Sequence, residues 1–316
     1  MRLSISGDHM KLVFLLSSLF FTTNAFAKLN FNSDYPLYLS DQSRYTHAQV
    51  EAALDQAFSY QKPVVLFVHG RGNEPEKSLN GGTYVEGNAV HKIEQQYGVK
   101  VVMFNWDSSA FLYDRNKPLR KMPAAAASLK KVLTKVNAYM KANKNKKITL
   151  LAHSMGSIVI QKYIQTYGWE FKDQIFASVL FTSPDADNKN HAIWLDQIAQ
   201  SEKVYVTINK DDNILKKSND ARERNVSALG LNPIKPFSHK LTYLDLTKMG
   251  TAPGAATGAH EVFNKLNMKD QKNVCEIFDA LLTSGSPNLS ASTFTTNISG
   301  YFNFQFKRDD NAPCFK

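Results

Sequence analysis

Short apolar runs alternate with helix-like segments through the middle of the chain. The apolar runs predict strands at Val64–Val68, Lys100–Phe104, Ile148–Leu151, Phe176–Phe181, Val204–Ile208 and Leu241–Asp245. Helical patterns lie between several of them, at Gly87–Tyr97, Pro123–Met140 and His191–Ala199. Uninterrupted apolar runs are typical of strands that are buried on both faces of a parallel sheet. The order predicts an α/β fold with a mostly parallel sheet of about six core strands, flanked by helices.

Two later segments interrupt this alternation. Lys216–Phe237 is polar and basic and is predicted to be a loop over one edge of the sheet, and residues 284–292 form a turn-rich linker. Beyond the linker, alternating aromatic positions predict a half-buried strand. These positions are Phe302, Phe304 and Phe306. We therefore expect a main domain at 28–283 and a small antiparallel C-terminal extension at 284–316.

The N-terminal region has the pattern of a secretory signal peptide. Met10-Lys11 opens a basic region, Leu12–Phe21 is largely apolar, and Ala25-Phe26-Ala27 is an A-x-A cleavage site. Residues 1–27 are thus expected to be removed, leaving Lys28 as the mature N-terminus. The apolar run is too short for a span, which needs about 20 residues. We expect an exported protein, periplasmic or secreted, with no transmembrane segment after signal cleavage.

The two cysteines, Cys275 and Cys314, both lie in the last fifth of the chain. In an oxidising compartment an even pair favours one disulfide. It would tie the C-terminal tail to a predicted helix at 269–282. Two independent thiols are the alternative.

The net charge of +10 leaves the class of partner open. The lysines are scattered and lack the interleaved aromatic residues of a nucleic-acid platform, so no nucleic-acid partner is expected. General solubility is the favoured interpretation. Weak association with anionic surfaces, such as anionic lipid, lipopolysaccharide or an acidic polymer, is the alternative.

A serine at a strand-to-helix turn is the main chemical signal. Ser154 follows the strand Ile148–Leu151 and precedes an apolar segment that can form a helix. In a nucleophile elbow, small residues two positions before and after the serine let the strand and the helix approach closely. Ala152 and Gly156 hold those positions, with Ala152 in place of the usual glycine. A helix N-cap serine would explain Ser154 alone.

The partners of an activated serine occur in the order serine, acid, histidine. His260 follows the last predicted strand and is the expected base, whereas His239 precedes that strand and lies at the wrong end of the sheet. Asp212, after strand Val204–Ile208, is the preferred acid, and Asp211 is the nearest alternative. Two further candidates follow the preceding strand, Asp185 and Asp187. The histidines without motif context, expected at the surface, are His9, His47, His91 and His191.

An oxyanion hole needs two N–H donors at the developing charge. The residue after the nucleophile, Met155, supplies one. The loop after the first core strand, with Arg71 between two glycines, is expected to supply the other. The histidine spacing does not match a metal motif, so neither a metal nor a cofactor is expected.

Several motifs follow one another in a fixed order along the chain. They are Val68-His69-Gly70, Phe104-Asn105-Trp106-Asp107-Ser108, Tyr113-Asp114-Arg115, Leu151-Ala152-His153-Ser154-Met155-Gly156, Ser183-Pro184-Asp185-Ala186-Asp187 and Gly258-Ala259-His260. As a set they resemble a bacterial α/β-hydrolase family of unassigned function, which carries an A-H-S-M-G nucleophile elbow and an H-G-x oxyanion loop. The resemblance implies the hydrolase fold and a triad of Ser154, Asp212 and His260. Arg71 replaces a usual aromatic residue and Asp107 a usual proline, so the substrate preference does not transfer.

These features favour an exported serine hydrolase, a carboxylesterase or lipase-like enzyme. It would cleave a small-molecule or lipid ester through an acyl-serine intermediate. Ester cleavage is the least demanding reaction for a serine, histidine and aspartate set, but an amidase or thioesterase would use the same residues. A non-catalytic exported binding protein on a hydrolase fold is the alternative from another class.

Overall fold

A ten-stranded sheet forms the centre of the protein, with helices on both faces. The computed structural model describes residues 32–71, 89–109, 115–223, 225–249, 259–261, 272–291, 293–298 and 300–305. The strands are β1 (Leu37–Leu39), β2 (Arg44–Tyr45), β3 (Val64–Val68), β4 (Lys100–Phe104), β5 (Ile148–His153), β6 (Phe176–Thr182), β7 (Val204–Ile208), β8 (Leu241–Asp245), β9 (Phe294–Ile298) and β10 (Tyr301–Phe304). The helices in the described residues are α1 (Val50–Ser59), α2 (Ala89–Tyr97), α3 (Asn116–Ala142), α4 (Gly156–Tyr167), α5 (His191–Ile198), α6 (Asn213–Asn219) and α7 (Lys272–Thr283), with 3₁₀ turns at His47–Gln49 and Thr247–Met249.

The strand order is β2-β1-β4-β3-β5-β6-β7-β8-β10-β9. The run from β4 to β8 is parallel throughout, which confirms the six predicted core strands. Strand β1 pairs antiparallel with β2 and β4 at one edge. Since β3 and β5 are adjacent and central, the loops that follow them emerge side by side at the carboxyl edge of the sheet.

Apolar packing on both faces explains why the core strands are continuously hydrophobic. One face of the sheet packs against α1, α3, α4 and α5, where Leu129 and Trp194 are buried. The other face packs against α2 and α7, where Ile93 and Phe278 are buried. Every residue of β3 and of β5 is buried. The sheet is therefore the middle of three layers, as expected for a parallel α/β fold.

Two sequence predictions need correction. Helix α3 begins at Asn116, although Pro123 was expected at its start. Pro118 lies in the first turn, where its missing N–H has no partner to lose, and the helix continues through Pro123 because its apolar face, including Leu129, is buried against the sheet. The segment Lys216–Phe237 is predicted to be a loop, but its first four residues belong to α6. The Asp212 side chain caps this helix and stabilises its start.

The C-terminal tail extends the main sheet. Strands β9 and β10 are antiparallel to each other, as predicted for the extension, but β10 pairs parallel with β8 and thereby joins the same sheet. Gly300 has φ +77, and a Cβ there would lie 2.5 Å from the Leu241 carbonyl oxygen, so the turn requires glycine. Cys275 lies in α7, whereas Cys314, Phe306 and the predicted signal peptide 1–27 fall outside the described residues. The disulfide remains a prediction.

None of the described helices combines the length and the apolar composition needed to span a membrane.

A buried carboxyl group, that of Glu202, ties β6 to the segment before β7. Its two oxygens accept hydrogen bonds from the backbone amides of Ile175 and Phe176, at 2.9 and 3.1 Å. Burial disfavours the carboxylate more than these hydrogen bonds favour it, and raises the pKa of Glu202 to about 8. The folded protein therefore keeps this group protonated at a pH at which the unfolded chain has already ionised it.

We predict that this mismatch lowers the stability of the fold as the pH rises. The free energy of unfolding should fall between pH 5 and pH 8 by on the order of 3 kcal/mol through Glu202 alone. The glutamine in Glu202→Gln cannot ionise. The free energy of unfolding of this variant, measured with urea, should therefore increase relative to that of the wild type as the pH rises. Glu170→Gln, at an exposed ion pair with Lys130, is the control and should keep the wild-type slope. Parallel wild-type and Glu202→Gln slopes would show that Glu202 is ionised in the folded protein.

Candidate active site

Ser154 lies in a tight turn between β5 and α4. Its backbone has φ +52, a left-handed conformation that costs a non-glycine residue about 1 kcal/mol or more. The turn needs close packing: a Cβ on Gly156 would lie 2.3 Å from the Val68 carbonyl oxygen, and a Cβ on Gly70 would lie 2.9 Å from the Ser154 Cβ. The tight turn is therefore present, and it requires glycine at position 156 and at position 70 in the loop after β3.

Hydrogen bonds hold the strained turn. The Ser154 carbonyl oxygen accepts from the Ser157 amide at 3.0 Å, the Ser157 hydroxyl at 2.6 Å and the Asp185 amide at 3.1 Å. The Ser154 amide donates to the Thr182 carbonyl at 3.1 Å. Since each of these groups lies at the carboxyl edge of β5 or β6, the turn is locked to the sheet and to the loop after β6.

Asp212 and His260 form a buried pair. His260 Nδ1 lies 2.7 Å from Asp212 Oδ2. The other carboxylate oxygen, Oδ1, accepts from the amides of Ile214 and Leu215 at 3.0 and 2.9 Å and so caps α6. One carboxylate thus orients the imidazole and fixes the helix that follows it.

The other candidates for the acid and the base do not contact the Asp212–His260 pair. Asp211 forms an ion pair with Lys216 at 3.6 Å, with both side chains about half exposed. Asp185 and Asp187 both bind Arg222, at 2.9 and 3.2 Å. His239 is exposed, at the far end of β8 from His260. Of the candidates from the sequence, the structure brings Asp212 alone into hydrogen-bond contact with His260 among the described residues.

The two histidines beside the turn have opposite protonation preferences. Burial disfavours the imidazolium of His260, but the adjacent Asp212 carboxylate, together with Glu261 and Asp185, more than offsets this, so the pKa of His260 is raised above 6.5. Burial and the neighbouring His260 hold the pKa of His153 well below its usual range. The two rings lie 4.7 Å apart between centroids. His153 therefore packs beside His260 as a neutral ring.

Two backbone amides flank Ser154. Within the described part of the chain, the N–H groups of Met155 and Arg71 have no hydrogen-bond acceptor, and both residues line one cavity with Ser154. Unpaired N–H groups at such a site are the donors that an oxyanion requires. Both residues expected from the sequence as donors thus line the same cavity as Ser154, and their role in an oxyanion hole stays a prediction.

His69 fixes the orientation of the second amide. Its Nδ1 donates to the Gly70 carbonyl oxygen at 2.7 Å, and its Nε2 accepts from the Trp106 amide at 3.3 Å. The Trp106 indole in turn donates to the His69 carbonyl oxygen at 2.8 Å. Because a trans peptide is planar, holding the Gly70 carbonyl aims the Arg71 N–H in the opposite direction. The sequence analysis assigned His69 to this loop but missed its partner, Trp106.

Comparisons with known proteins give the family. A family model described as alpha/beta hydrolase of unknown function (DUF900) matches residues 46–251. The chain belongs to this family. A comparison with curated protein sequences finds no match.

Solved structures give only weak similarity to this α/β hydrolase. A lipase of Bacillus licheniformis, BlEst2 in mature form, is 13% identical, with a TM-score of 0.27 and coverage of 47% of this chain and 66% of that chain. A candidate lipase of Acinetobacter baumannii AYE is 15% identical, with a TM-score of 0.18 and coverage of 43% and 46%. Scores this low carry no argument about substrate or activity.

The cavity of the hydrolase above Ser154 has a volume of about 240 Å³. Charged side chains also line it, among them Asp185, which the sequence analysis considered as an acid. Three more were not assigned to the site from the sequence, namely Arg115, Lys217 and Glu261. Arg115 belongs to a motif noted in the sequence, but nothing local to its segment identifies Arg222, which binds Asp185 from behind the cavity wall.

His191 also differs from expectation. It is buried, with Nδ1 at 2.8 Å from the Asn188 carbonyl oxygen and Nε2 at 2.8 Å from the Tyr243 hydroxyl. It is therefore a hydrogen-bonded residue of the interior, and the expectation that it lies at the surface is wrong. No cluster of His, Cys, Asp and Glu that could hold a metal ion occurs among the described residues.

We predict that the Asp212 carboxylate keeps the pKa of His260 high. In Asp212→Asn, burial acts without the opposing charge, so the pKa of His260 should fall below its value in the wild-type protein. NMR titration of histidine ring protons, assigned with His260→Asn, measures this shift. Asp211→Asn is the matched control, and a larger shift in that variant would mean that the wrong aspartate has been paired with His260.

Proposed function

We propose that this α/β hydrolase is a serine hydrolase that cleaves a carboxylic ester through an acyl-Ser154 intermediate. One observation carries the proposal. The strained Ser154, the Asp212–His260 pair and the unpaired amides of Met155 and Arg71 meet at one cavity. A packing role for any one of these features would leave the others unexplained.

The proposed reaction uses each group in turn. Ser154 Oγ attacks the ester carbonyl carbon while His260 takes its proton, and the Arg71 and Met155 amides bind the oxyanion. The carbon–oxygen bond to the alcohol then breaks, and His260 returns the proton to the departing alcohol. Water attacks the acyl-serine with His260 again as base, which releases the acid and restores the hydroxyl. Asp212 holds the tautomer of His260 and stabilises its imidazolium.

We predict that a fluorophosphonate forms a single covalent adduct with the wild-type protein. Intact mass should show one adduct that is absent from Ser154→Ala and is formed at least about 100-fold more slowly by His260→Asn. His239→Asn, at an exposed histidine, is the matched control and should react like the wild type. An adduct that persists in Ser154→Ala, or no adduct on folded wild-type protein, would contradict the proposal.

The proposal includes export and a Cys275–Cys314 disulfide. Its support is the signal-peptide pattern of residues 1–27 and the even number of cysteines, two, in the chain.

We further propose weak association with an anionic lipid surface. A groove of about 520 Å³ is lined by five lysines, at the edge of the sheet where β5 and β6 begin. We call it the lysine groove, and its lysines are Lys141, Lys144, Lys146, Lys147 and Lys203. Two of these lysines are neutralised by ion pairs, Lys141 with Asp173 and Lys146 with Asp55. Since Ser154 follows the opposite end of β5, binding through the groove would turn the cavity away from the surface.

We predict that the protein sediments with vesicles containing phosphatidylglycerol and remains unbound with vesicles of phosphatidylcholine alone. Each lysine near an anionic surface contributes about 1 kcal/mol, so Lys144→Glu with Lys147→Glu should weaken binding at least about tenfold. The matched control is the double variant Lys131→Glu with Lys248→Glu. It changes the net charge by the same amount, at exposed positions outside the lysine groove. Equal losses in the two double variants would show a general charge effect and exclude the groove.

A further inference from the structure

The cavity above Ser154 is small, and charged side chains line part of its wall. Its volume of about 240 Å³ is below the range of about 300–1,000 Å³ that is usual for drug-sized ligands. A long acyl chain would need an apolar tunnel, whereas Arg115, Lys217 and Asp185 line the wall of this cavity. The shape and chemistry favour a short, polar substrate.

Arg115 is a buried cation with unused hydrogen-bonding capacity. Its side chain is 10% exposed, and its Nε donates to the Ser218 hydroxyl at 3.1 Å. Its ion pairs are long, 3.6 Å to Asp185 and 4.0 Å to Asp187. Among the described residues, the Nη1 group of Arg115 has no hydrogen-bond acceptor. A buried guanidinium with an N–H group that lacks an acceptor can bind an anion that enters the cavity.

Another residue makes the closer contacts with the neighbouring carboxylates. Arg222, whose side chain is 2% exposed, binds Asp185 at 2.9 Å and Asp187 at 3.2 Å. The Ser218 hydroxyl also donates to Asp185, at 2.7 Å. Asp185 therefore takes its close hydrogen bonds from Arg222 and Ser218, which leaves hydrogen-bonding capacity of Arg115 available to the cavity.

The formal charges around the cavity balance when the Asp212 carboxylate beside His260 is counted. The attraction for an anion therefore comes from the position of Arg115 and not from a net positive charge. Away from bulk water, a guanidinium with an unused N–H group attracts an anion more strongly than it would at the surface.

We propose that the substrate is a small ester that carries an anionic group, a carboxylate or a phosphate, close to the scissile bond, and that Arg115 binds this group with Lys217 at the rim. This inference rests on the proposed ester hydrolysis. It adds a specificity-determining residue, Arg115, and a substrate class to the site.

The test compares matched anionic and neutral esters. We expect kcat/KM for p-nitrophenyl hemiglutarate to exceed that for p-nitrophenyl pentanoate, and kcat/KM for 4-acetoxybenzoate to exceed that for phenyl acetate, in at least one pair. The first pair places the charge on the acyl part and the second on the leaving group. In Arg115→Gln the ratio of anionic to neutral kcat/KM should fall about tenfold or more. Because it is a ratio, a general loss of activity or folded fraction cancels.

Two lysines at neighbouring positions supply the control. Lys217 lines the cavity, whereas Lys216 pairs with Asp211 outside it. Lys217→Gln should lower the same ratio about two- to fivefold, as expected for an exposed charge, and Lys216→Gln should leave it unchanged. Equal ratios in Arg115→Gln and the wild type for both ester pairs would overturn the inference while ester hydrolysis itself stands.

Direct binding separates this inference from the proposed activity. Calorimetry with glutarate, and separately with inorganic phosphate, should show binding to the Ser154→Ala protein that Arg115→Gln weakens about tenfold. The tighter of the two identifies carboxylate or phosphate as the preferred group. If no ester is hydrolysed but this binding is found, the ester assignment fails and the anion site stands. If neither anion binds, the anion site is wrong.

Discussion

The left-handed backbone at Ser154 is the constraint on which the rest of the site depends. Such a conformation persists only where the surroundings hold it. Here the Ser154 carbonyl oxygen accepts three hydrogen bonds, and the absence of a Cβ at Gly156 lets α4 begin directly against the Val68 carbonyl. The same turn brings the Met155 amide beside the loop after β3. Removing the strain would move the hydroxyl, one oxyanion donor and the loop after β6 together.

Asp212 links this turn to the wall of the cavity. One carboxylate oxygen orients His260 and the other caps α6, the helix that carries Lys217 and Ser218 to the cavity. Ser218 in turn bridges Arg115 and Asp185. The orientation of His260, the proposed base, and the placement of the charged groups that line the cavity therefore depend on the same side chain.

The sequence predicts the parallel strands and the serine turn well, because both are local patterns. Buried strands are continuously apolar, and the elbow is confined to a few residues around Ser154. The choice between Asp211 and Asp212 was left open because adjacent residues share every local feature. It depends on which carboxylate caps α6, and the last four residues of that helix lie in the segment Lys216–Phe237, which is predicted to be a polar loop. Asp212 is a typical N-cap residue, but its neighbours Asp211 and Asn213 are N-cap types as well, so the sequence does not single it out.

Long-range pairing could not be predicted in the same way. Arg222 lies in a polar stretch, and its contacts with Asp185 and Asp187 join elements that are distant in sequence. The start of α3 was placed at Pro123 by a sound local rule that tertiary packing overrides. Local sequence patterns thus predict the candidate reacting groups, whereas the charged side chains of the cavity wall are brought together only by the fold.

The rate of inactivation by a fluorophosphonate, measured against pH, tests most directly whether His260 activates Ser154. Attack on the phosphorus needs neutral imidazole, and the pKa of His260 is raised above 6.5. The rate should therefore rise with pH, with a midpoint above 6.5 that equals the pKa of His260 measured by NMR. In Asp212→Asn the midpoint should move down together with that pKa. A rate that does not depend on pH, or a midpoint that stays fixed while the pKa of His260 moves, would contradict the account.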